Sequence, residues 1–237
     1  MSAPRTVLVT GGNRGIGLAS AQLLADQGHR VAITARNPET VDDRILSVPC
    51  DQTDASAVES AFETIEAELG SVEVLVANAG ITRDQLLLRM SDEDFSEVIA
   101  TNLTGSYRMA RRATRTMLRA RWGRLIFVSS VVGLLGSAGQ VNYAASKAGL
   151  VGMARSMARE LGSRSITANI VSPGPVATEM FASLTEEQQS AITDQVPLGR
   201  VAQPEEIAQT IAFLASESAA YITGAVIPID GGLGMGH

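Results

Sequence analysis

The 237-residue sequence has few of the residues on which several classes of protein depend. Its single cysteine, Cys50, excludes an intramolecular disulfide framework and a cluster of thiolate metal ligands. Its two histidines, His29 and the final residue His237, argue against a histidine-dependent catalytic triad or a histidine-rich metal site. No run approaches the roughly 18 apolar residues that a spanning helix needs, and the first residues show no signal-peptide pattern. We therefore expect a cytoplasmic protein with no bound metal and no membrane partner.

Basic residues are also few, and they are almost all of one kind. The net charge of −6 argues against general nucleic-acid binding, which needs a basic excess to neutralise phosphates. Of the 19 basic residues, 18 are arginine, and Lys147 is the sole lysine. Composition bias accounts for the arginine excess. A lysine retained against that bias points to a task that arginine cannot perform, with chance as the alternative.

Short apolar strand patterns alternate with helical patterns along the whole chain, and no repeat or linker divides it. This alternation predicts an α/β protein with one domain over residues 1–237. The expected architecture is a Rossmann-type, doubly wound parallel sheet of about seven strands with helices on both faces. The predicted strands are 5–10, 31–34, 45–50, 72–77, 124–128, 166–171 and 225–229, and the predicted helices are 15–27, 55–69, 92–121, 143–161, 178–195 and 205–215.

A glycine-rich turn, Thr10-Gly-Gly-Asn-Arg-Gly-Ile-Gly17, follows the first predicted strand. Glycines let the backbone turn tightly and approach a pyrophosphate, whose charge is met by the amides and dipole of the next helix. An ordinary strand-to-helix turn is the alternative, but the position at the start of a doubly wound pattern favours a dinucleotide site. The predicted cofactor-binding residues in this turn are Gly11, Asn13, Arg14, Gly15, Ile16 and Gly17.

The end of the second predicted strand favours NADPH/NADP over NAD. NAD sites usually place an acidic residue there to bind the ribose hydroxyls, whereas this strand is followed by Arg36. Arg14 offers a second cation near the same ribose, and two guanidiniums suit a 2′-phosphate. The alternative is that both arginines are simply solvated at the surface.

One of only three tyrosines, Tyr143, lies four residues before the sole lysine. On a helix this spacing places both side chains on one face, where the ammonium of Lys147 favours the phenolate and makes the phenol a usable proton donor. A buried tyrosine beside a snorkelling lysine is the alternative. Ser129 and Ser130 end the fifth predicted strand, at the sheet edge where ligands bind. For these serines the alternative is capping or loop hydrogen bonding.

Together these residues resemble the short-chain dehydrogenase/reductase family over essentially the whole chain. Within the family, Asn102-Leu-Thr-Gly, Ser130-Val-Val-Gly, Asn142-Tyr-Ala-Ala-Ser-Lys and Tyr221-Ile-Thr-Gly-Ala look like the β-ketoacyl-acyl-carrier-protein reductases, and the short second crossover is similar to their actinobacterial branch. The matching motifs are the turn at 10–17, Asp51, Asn78-Ala-Gly80, Asn102, Ser130, Tyr143, Lys147 and the segment 173–178.

The resemblance implies a role for each matching residue. Tyr143 would protonate the alkoxide, and Lys147 would lower its pKa and bind the nicotinamide ribose. Ser130 would hold the substrate carbonyl, Asn102 would position a water in the proton relay, and Ser129 would give backbone support. The remaining cofactor positions are Asp51 at the adenine, Gln52 in place of a usual apolar residue, Asn78 and Gly80 near the adenosine ribose, and Pro173, Gly174, Val176 and Thr178 on the carboxamide side.

The implied activity is NADPH-dependent reduction of 3-oxoacyl-acyl-carrier-protein in fatty acid biosynthesis. A related reductase acting on acyl-CoA, polyketide or small alcohol substrates and a non-catalytic nucleotide-binding regulator are the alternatives. By resemblance we also expect a homotetramer, with Arg121 and Arg164 holding the acidic carrier protein beside the active-site mouth.

Two further surfaces are predicted. Arg108, Arg112, Arg115 and Arg119 recur at helical spacing, which favours a solvated or subunit-interface face. A substrate-loop insertion is expected at about 178–196. Apolar residues that flank the site in the family could line an acyl groove, with ordinary core packing as the alternative: Leu134, Leu135, Met180, Phe181, Leu184 and Ile192.

Overall fold

The computed structural model describes residues 4–235, so His237 lies outside the described range. Its centre is a sheet of seven strands: β1 (Thr6–Thr10), β2 (Arg30–Ala35), β3 (Ile45–Pro49), β4 (Val74–Ala77), β5 (Gly123–Val128), β6 (Ile166–Pro173) and β7 (Val226–Ile229). All neighbouring strands are parallel, in the order β3-β2-β1-β4-β5-β6-β7. The predicted Rossmann-type doubly wound fold is therefore confirmed. The strand order reverses beside β1, which places a crevice between the ends of β1 and β4.

Helices cover both faces of the sheet. They are α1 (Gly15–Asp26), α2 (Ala55–Leu69), α3 (Asp92–Ile99), α4 (Ser106–Ala120), α5 (Val132–Leu135), α6 (Val141–Leu161), α7 (Glu179–Ala182), α8 (Glu186–Thr193) and α9 (Pro204–Ala215). Val7 and Val9 belong to a core with α1 and α9, whereas Leu8 belongs to a core with α2, α4 and α6. Because the central strands are buried on both sides, they are almost continuously apolar.

The positions of the helices differ from the prediction in three places. The predicted helix 92–121 is α3, a π-helical turn over Ala100–Gly105, and α4. The predicted stretch 178–195 is two short helices, and α5 was not predicted. The π turn was not predicted because it inserts one residue into a segment whose helical propensity is continuous. Helix α5 was not predicted because four residues are too few to show a helical period. The other predicted elements are present, with ends that differ by one or two residues.

Two features are absent from the described part of the chain, a membrane-spanning helix and a cluster of metal ligands. Among residues 4–235, no helix combines the length and the apolar character needed to cross a bilayer. Within the same range, no three histidine, cysteine, aspartate or glutamate residues are grouped so that they could hold one metal ion.

The arginine stripe on α4 is not uniformly solvated, which corrects the prediction for Arg112. This residue is buried, and its guanidinium donates to Glu59 and Glu66 of α2, each at 2.7 Å. The guanidinium also lies 4.8 Å from the centre of the Phe62 ring. One turn later, Arg115 is exposed and reaches Glu59 at 3.1 Å. Arg112 and Arg115 therefore hold α4 against α2. Glu59 and Glu66 lie 53 and 46 residues before Arg112 in the sequence, so these ion pairs join distant parts of the chain.

Replacement of Arg112 by alanine should lower the free energy of unfolding by about 2 kcal/mol, because two carboxylates lose their shared partner at a buried position. The matched variant Arg115→Ala should cost less than about 0.5 kcal/mol, since its ion pair is exposed. Urea unfolding at fixed protein concentration measures both losses. Equal losses in the two variants would contradict this account of α4.

Candidate active site

The predicted functional segments meet at one edge of the sheet. The glycine-rich turn follows β1, the Asn78 segment follows β4, Ser130 lies two residues beyond β5, and Gly174 follows β6. Carboxyl ends of parallel strands share an edge, and this edge contains the crevice where the strand order reverses. The fold thus brings together residues from four separate parts of the chain.

The glycine-rich turn is shaped by contacts that leave no room for side chains. Gly11 has φ +62°, and a Cβ built on it would lie 2.9 Å from the Cα of Ala79. A Cβ on Gly17 would lie 2.3 Å from the carbonyl oxygen of Gly11 and 2.6 Å from Nδ2 of Asn78. Both positions require glycine for different reasons, the first for backbone conformation as well as space and the second for close packing.

The first turn of α1 is open to an anion. No side chain caps this helix at Arg14, and its first turn contains no acidic residue. Its leading amides and the positive end of its dipole can therefore accept a pyrophosphate. The side chain of Arg14 extends across to α7, where it donates to Glu179 at 2.7 Å, and both side chains are exposed.

Asn78 holds the glycine-rich turn against β4. Its Nδ2 donates to the carbonyl oxygens of Thr10 and Gly11 at 3.0 and 3.1 Å. The Thr10 hydroxyl in turn accepts from the backbone N–H groups of Asn78 and Ala79, each at 3.0 Å. The side-chain nitrogen of Asn78 is thus used by the chain itself, and this network fixes the floor of the predicted cofactor site.

Arg36 and Asp51 lie side by side because they follow the neighbouring strands β2 and β3. Asp51 accepts from the hydroxyl and the backbone N–H of Thr53, at 2.7 and 2.8 Å. These hydrogen bonds, and then the charge of Arg36, lower the pKa of Asp51, so its carboxylate is ionised at neutral pH. A polar cavity of ≈ 280 Å³ lies nearby, lined by Asn13, Arg14, Asn37, Glu39, Thr40, Val41 and Glu179.

Gln52 points in a different direction from Asp51. Its side chain is 6% exposed, and its Nε2 donates to the carbonyl oxygens of Thr101 and Ala79 at 2.8 and 3.3 Å. The amide nitrogen of Gln52 is thus already hydrogen-bonded to two carbonyl oxygens of the chain and is not free to bind the predicted cofactor.

Tyr143 and Lys147 lie on one face of α6, as their spacing predicts. The Nζ of Lys147 lies 5.5 Å from the centre of the Tyr143 ring and donates to the carbonyl oxygen of Val128 at 2.7 Å. Ser129 makes a second link, because its hydroxyl donates to the carbonyl oxygen of Lys147 at 2.9 Å. The end of β5 and the first turns of α6 are thereby locked together, with Ser129 in a backbone-supporting position.

Burial shifts the pKa values of the pair in opposite directions. It raises the pKa of Tyr143 to about 12, although a hydrogen bond with Ser130 acts the other way. It lowers the pKa of Lys147 to about 8, because the ammonium loses its water. In the chain without ligands the phenol therefore holds its proton at neutral pH, and the lowered pKa expected for Tyr143 beside Lys147 is not found.

Asn102 is fully buried in the π turn and uses its side chain to join three segments. Its Oδ1 accepts from the N–H of Ile81 at 2.8 Å, and its Nδ2 donates to the Ile81 carbonyl at 3.0 Å and to the Ser146 hydroxyl at 3.1 Å. Ser146 in turn donates to the carbonyl oxygen of Tyr143 at 2.7 Å. A Cβ on Gly80 would lie 3.2 Å from Oδ1 of Asn102 and 3.5 Å from Nζ of Lys147, so Gly80 lies next to both.

Asn142 is a site residue whose role the sequence did not reveal. Its Oδ1 accepts from the N–H of Tyr143 at 2.7 Å, and its Nδ2 donates to the carbonyl oxygen of Arg83 at 2.9 Å. It therefore fixes the start of α6 against the loop after β4. In the sequence, only its position directly before Tyr143 points to this role. The contact of Asn142 with Arg83 joins two distant parts of the chain and cannot be read from the local pattern.

The segment after β6 faces the glycine-rich turn. Gly174 donates to the Ile229 carbonyl at 3.0 Å, and Val176 forms an isolated parallel bridge with Ala202. A Cβ on Gly15 would lie 3.2 Å from the methyl carbon of Thr178. Thr178 therefore lies beside the first turn of α1, and Pro173, Gly174 and Val176 lead to it from the carboxyl end of β6. The contact of these four residues with the carboxamide side of a cofactor, which the resemblance implies, stays a prediction.

Arg121 and Arg164 are not brought to this crevice. They precede β5 and β6, whose first residues Gly123 and Ile166 are paired. Residues before parallel strands lie at the edge opposite their carboxyl ends, so both arginines lie across the sheet from Ser130. Within the single chain both arginines therefore lie away from the crevice, and their contact with a carrier protein stays a prediction.

Comparisons with known proteins agree with this geometry. A family model described as Enoyl-(Acyl carrier protein) reductase matches residues 11–234. The 3-oxoacyl-[acyl-carrier-protein] reductase MabA of Mycobacterium tuberculosis is 54% identical over 233 residues, covering 98% of this chain and 94% of the relative. MabA of Mycobacterium avium is 53% identical over 233 residues, covering 98% and 91%. The 3-oxoacyl-[acyl-carrier-protein] reductase FabG of Escherichia coli is 45% identical over 238 residues, covering 98% of each chain.

The single lysine permits a direct test of the pKa at the site. Protein labelled with ¹³C-lysine should give one side-chain resonance, and in the folded chain without ligands it should titrate with a midpoint at about 8. The unfolded chain should titrate near 10.4. Because the folded state binds fewer protons between these values, this group makes the free energy of unfolding rise with pH across that window. A folded-state midpoint near 10.4 would show that the amine keeps its water.

Proposed function

This chain belongs to the short-chain dehydrogenase/reductase family, and from that premise we propose that it reduces 3-oxoacyl-acyl-carrier-protein to 3-hydroxyacyl-acyl-carrier-protein with NADPH in fatty acid biosynthesis. The observation that carries the proposal is the Tyr143–Lys147 pair on α6, fixed to the end of β5 beside Ser130 and across the crevice from the glycine-rich turn. The substrate is taken from the relatives, which match nearly the full chain and are 3-oxoacyl-[acyl-carrier-protein] reductases.

The crevice fits a nicotinamide cofactor. The uncapped first turn of α1 offers amides to the pyrophosphate, and the close approach of Gly11 and Gly17 leaves the turn narrow enough for backbone contact. Asp51 and Arg36 border the adenosine end, and Lys147 and Thr178 border the nicotinamide end. When bound, the cofactor supplies the hydride, and the protein supplies orientation and the proton.

Proton donation falls to Tyr143. Its phenol is protonated at neutral pH, and the Ser130 hydroxyl beside it can donate a hydrogen bond to the same substrate carbonyl oxygen. As negative charge develops on that oxygen, the phenol proton moves to it. The nearby ammonium of Lys147 then stabilises the phenolate left behind, because opposite charges attract strongly at a buried position. Asn102 keeps the helix turn that carries Tyr143 in place through Ser146.

The preference for NADPH rests on two cations. Arg14 lines the polar cavity together with Glu39 and Glu179, and Arg36, rather than an acidic residue, directly follows β2. A 2′-phosphate would satisfy a guanidinium better than a ribose hydroxyl does. Arg14 must then exchange its present partner, Glu179, for the phosphate.

The carrier protein and the homotetramer are proposed together. Arg121 and Arg164 lie across the sheet from this chain's own site, so a carrier protein held by them would serve the site of a neighbouring subunit. Assembly would also cover apolar side chains that are exposed in the single chain, such as Phe213 at 43% and Tyr221 at 102%.

The activity is tested by following the loss of NADPH absorbance with acetoacetyl carrier protein. We expect faster turnover than with acetoacetyl-CoA, with an enoyl carrier substrate, or with NADH. Tyr143→Phe should lower kcat at least about 100-fold while NADPH still binds, because it removes the proton donor.

Each other outcome contradicts part of the proposal. Preference for the CoA thioester would favour the related reductase, and preference for the enoyl substrate would favour the reaction that the family model's description names. Cofactor binding without turnover on any substrate would favour a regulator. Retained turnover in Tyr143→Phe would show that the phenol of Tyr143 is not the proton donor.

Substitution of Glu179 by glutamine should tighten NADPH binding about threefold, because an exposed ion pair worth roughly 0.6 kcal/mol no longer competes for Arg14. NADH binding should not change, since NADH has no 2′-phosphate. Isothermal titration with both cofactors measures the difference, and Glu187→Gln, an exposed position on α8, is the matched control. Equal tightening for the two cofactors would show that Arg14 does not meet the 2′-phosphate.

A further inference from the structure

Gln52 is a buried polar residue in an unusual place. It directly follows Asp51, whose carboxylate is exposed, yet its own side chain is only 6% exposed. Burying an amide costs free energy unless hydrogen bonds replace the lost water. An apolar side chain would fill this position without that cost. We therefore ask what the hydrogen bonds of Gln52 contribute.

Those bonds join the two segments that surround the catalytic pair. One acceptor, the carbonyl of Thr101 at 2.8 Å, belongs to the residue directly before Asn102 in the π turn. The other, the carbonyl of Ala79 at 3.3 Å, belongs to the residue directly before Gly80. The Nε2 of Gln52 therefore fixes the backbone on both sides of the point where Asn102, Gly80 and Lys147 meet.

The surroundings of Gln52 fit this amide in one orientation. A Cβ on Gly105, at the end of the π turn, would lie 2.6 Å from Cγ and 2.9 Å from Nε2 of Gln52, so only glycine leaves room for the side chain. The Oε1 of Gln52 is buried and has no hydrogen-bond partner among the described residues. Rotating the amide would turn this oxygen toward two carbonyl oxygens, so the nitrogen must face them.

We propose that Gln52 is a positioning residue for the reduction, which holds the π turn so that Asn102 keeps Tyr143 in place through Ser146. The chain of hydrogen bonds runs from Nε2 of Gln52 to the Thr101 carbonyl, along the backbone to Asn102, and through Ser146 to the carbonyl of Tyr143. This inference rests on the proposed reduction, because it assigns the residue a part in delivering the proton of Tyr143. Gln52 thereby connects the adenosine end of the crevice with its proton donor.

Two substitutions separate positioning from a merely structural role. Gln52→Leu has a similar size and removes both hydrogen bonds, and it should lower kcat about 10-fold through misplacement of the proton donor, while the KM for NADPH changes less than about twofold. The chain should still fold, since an apolar side chain at a buried position avoids the unpaired oxygen. Gln27→Leu, an exposed glutamine at the end of α1, is the matched control and should leave kcat unchanged.

Gln52→Glu adds a pH signature. A neutral carboxylic acid can still donate one hydrogen bond to the Thr101 carbonyl, but the carboxylate cannot donate and would repel both carbonyl oxygens. The kcat of this variant relative to wild type should therefore fall as pH rises, and the relative kcat of Gln52→Leu should be flat over the same range.

The ¹³C resonance of Lys147 gives a readout that does not require turnover. In Gln52→Leu the titration midpoint of this resonance should move from its wild-type value, because the segment containing Gly80 and Asn102 borders Nζ. An unchanged kcat and an unchanged resonance would overturn the proposal, and so would a higher KM for NADPH at constant kcat, which would make Gln52 a cofactor contact. If wild type reduces no substrate, the proposed function fails, while the resonance still tests the positioning role.

Discussion

The hydrogen bond from Lys147 to the carbonyl of Val128 sets the position of most other groups in the site. An ammonium taken out of water needs a partner, and this carbonyl is offered by the last residue of β5. Satisfying that need fixes the face of α6 that packs on the sheet, and Ser129 secures the same helix through a second carbonyl. Tyr143, one turn earlier, then lies beside Ser130 with little freedom to move. One buried charge thus determines the geometry of a proton donor that lies on a different turn of the helix.

Burial favours the neutral form of both Tyr143 and Lys147, because each charged form loses its water. The site without ligands therefore contains a phenol that holds its proton and an amine whose pKa of about 8 lies close to neutral pH. Such a pair responds to small changes in charge nearby. Negative charge arriving on a substrate oxygen favours the ammonium and the phenolate together, so the groups are prepared for the charge that develops during reduction.

Local patterns in the sequence were sufficient to predict the sheet and the common helix face of Tyr143 and Lys147. The glycine-rich turn, the i to i+4 spacing of Tyr143 and Lys147, and the serines after β5 all depend on residues close together in the chain. Features that depend on distant contacts were not predictable in the same way. The burial of Arg112 and the inward direction of Gln52 depend on partners between 27 and 53 residues away, and the π turn leaves no trace in the helical pattern. The edge at which Arg121 and Arg164 lie follows from their positions before β5 and β6, and their contact with a carrier protein stays a prediction.

The burial of the only lysine also has a chemical consequence for the surface. Thioesters of the kind that carry acyl groups react slowly with exposed amines without any enzyme, leaving the acyl group on lysine. In this chain every other basic side chain is arginine or histidine, and Lys147 is only 4% exposed. The surface therefore offers a thioester no lysine amine to acylate, and the side-chain amine that does exist lies where a substrate would be held in a defined orientation.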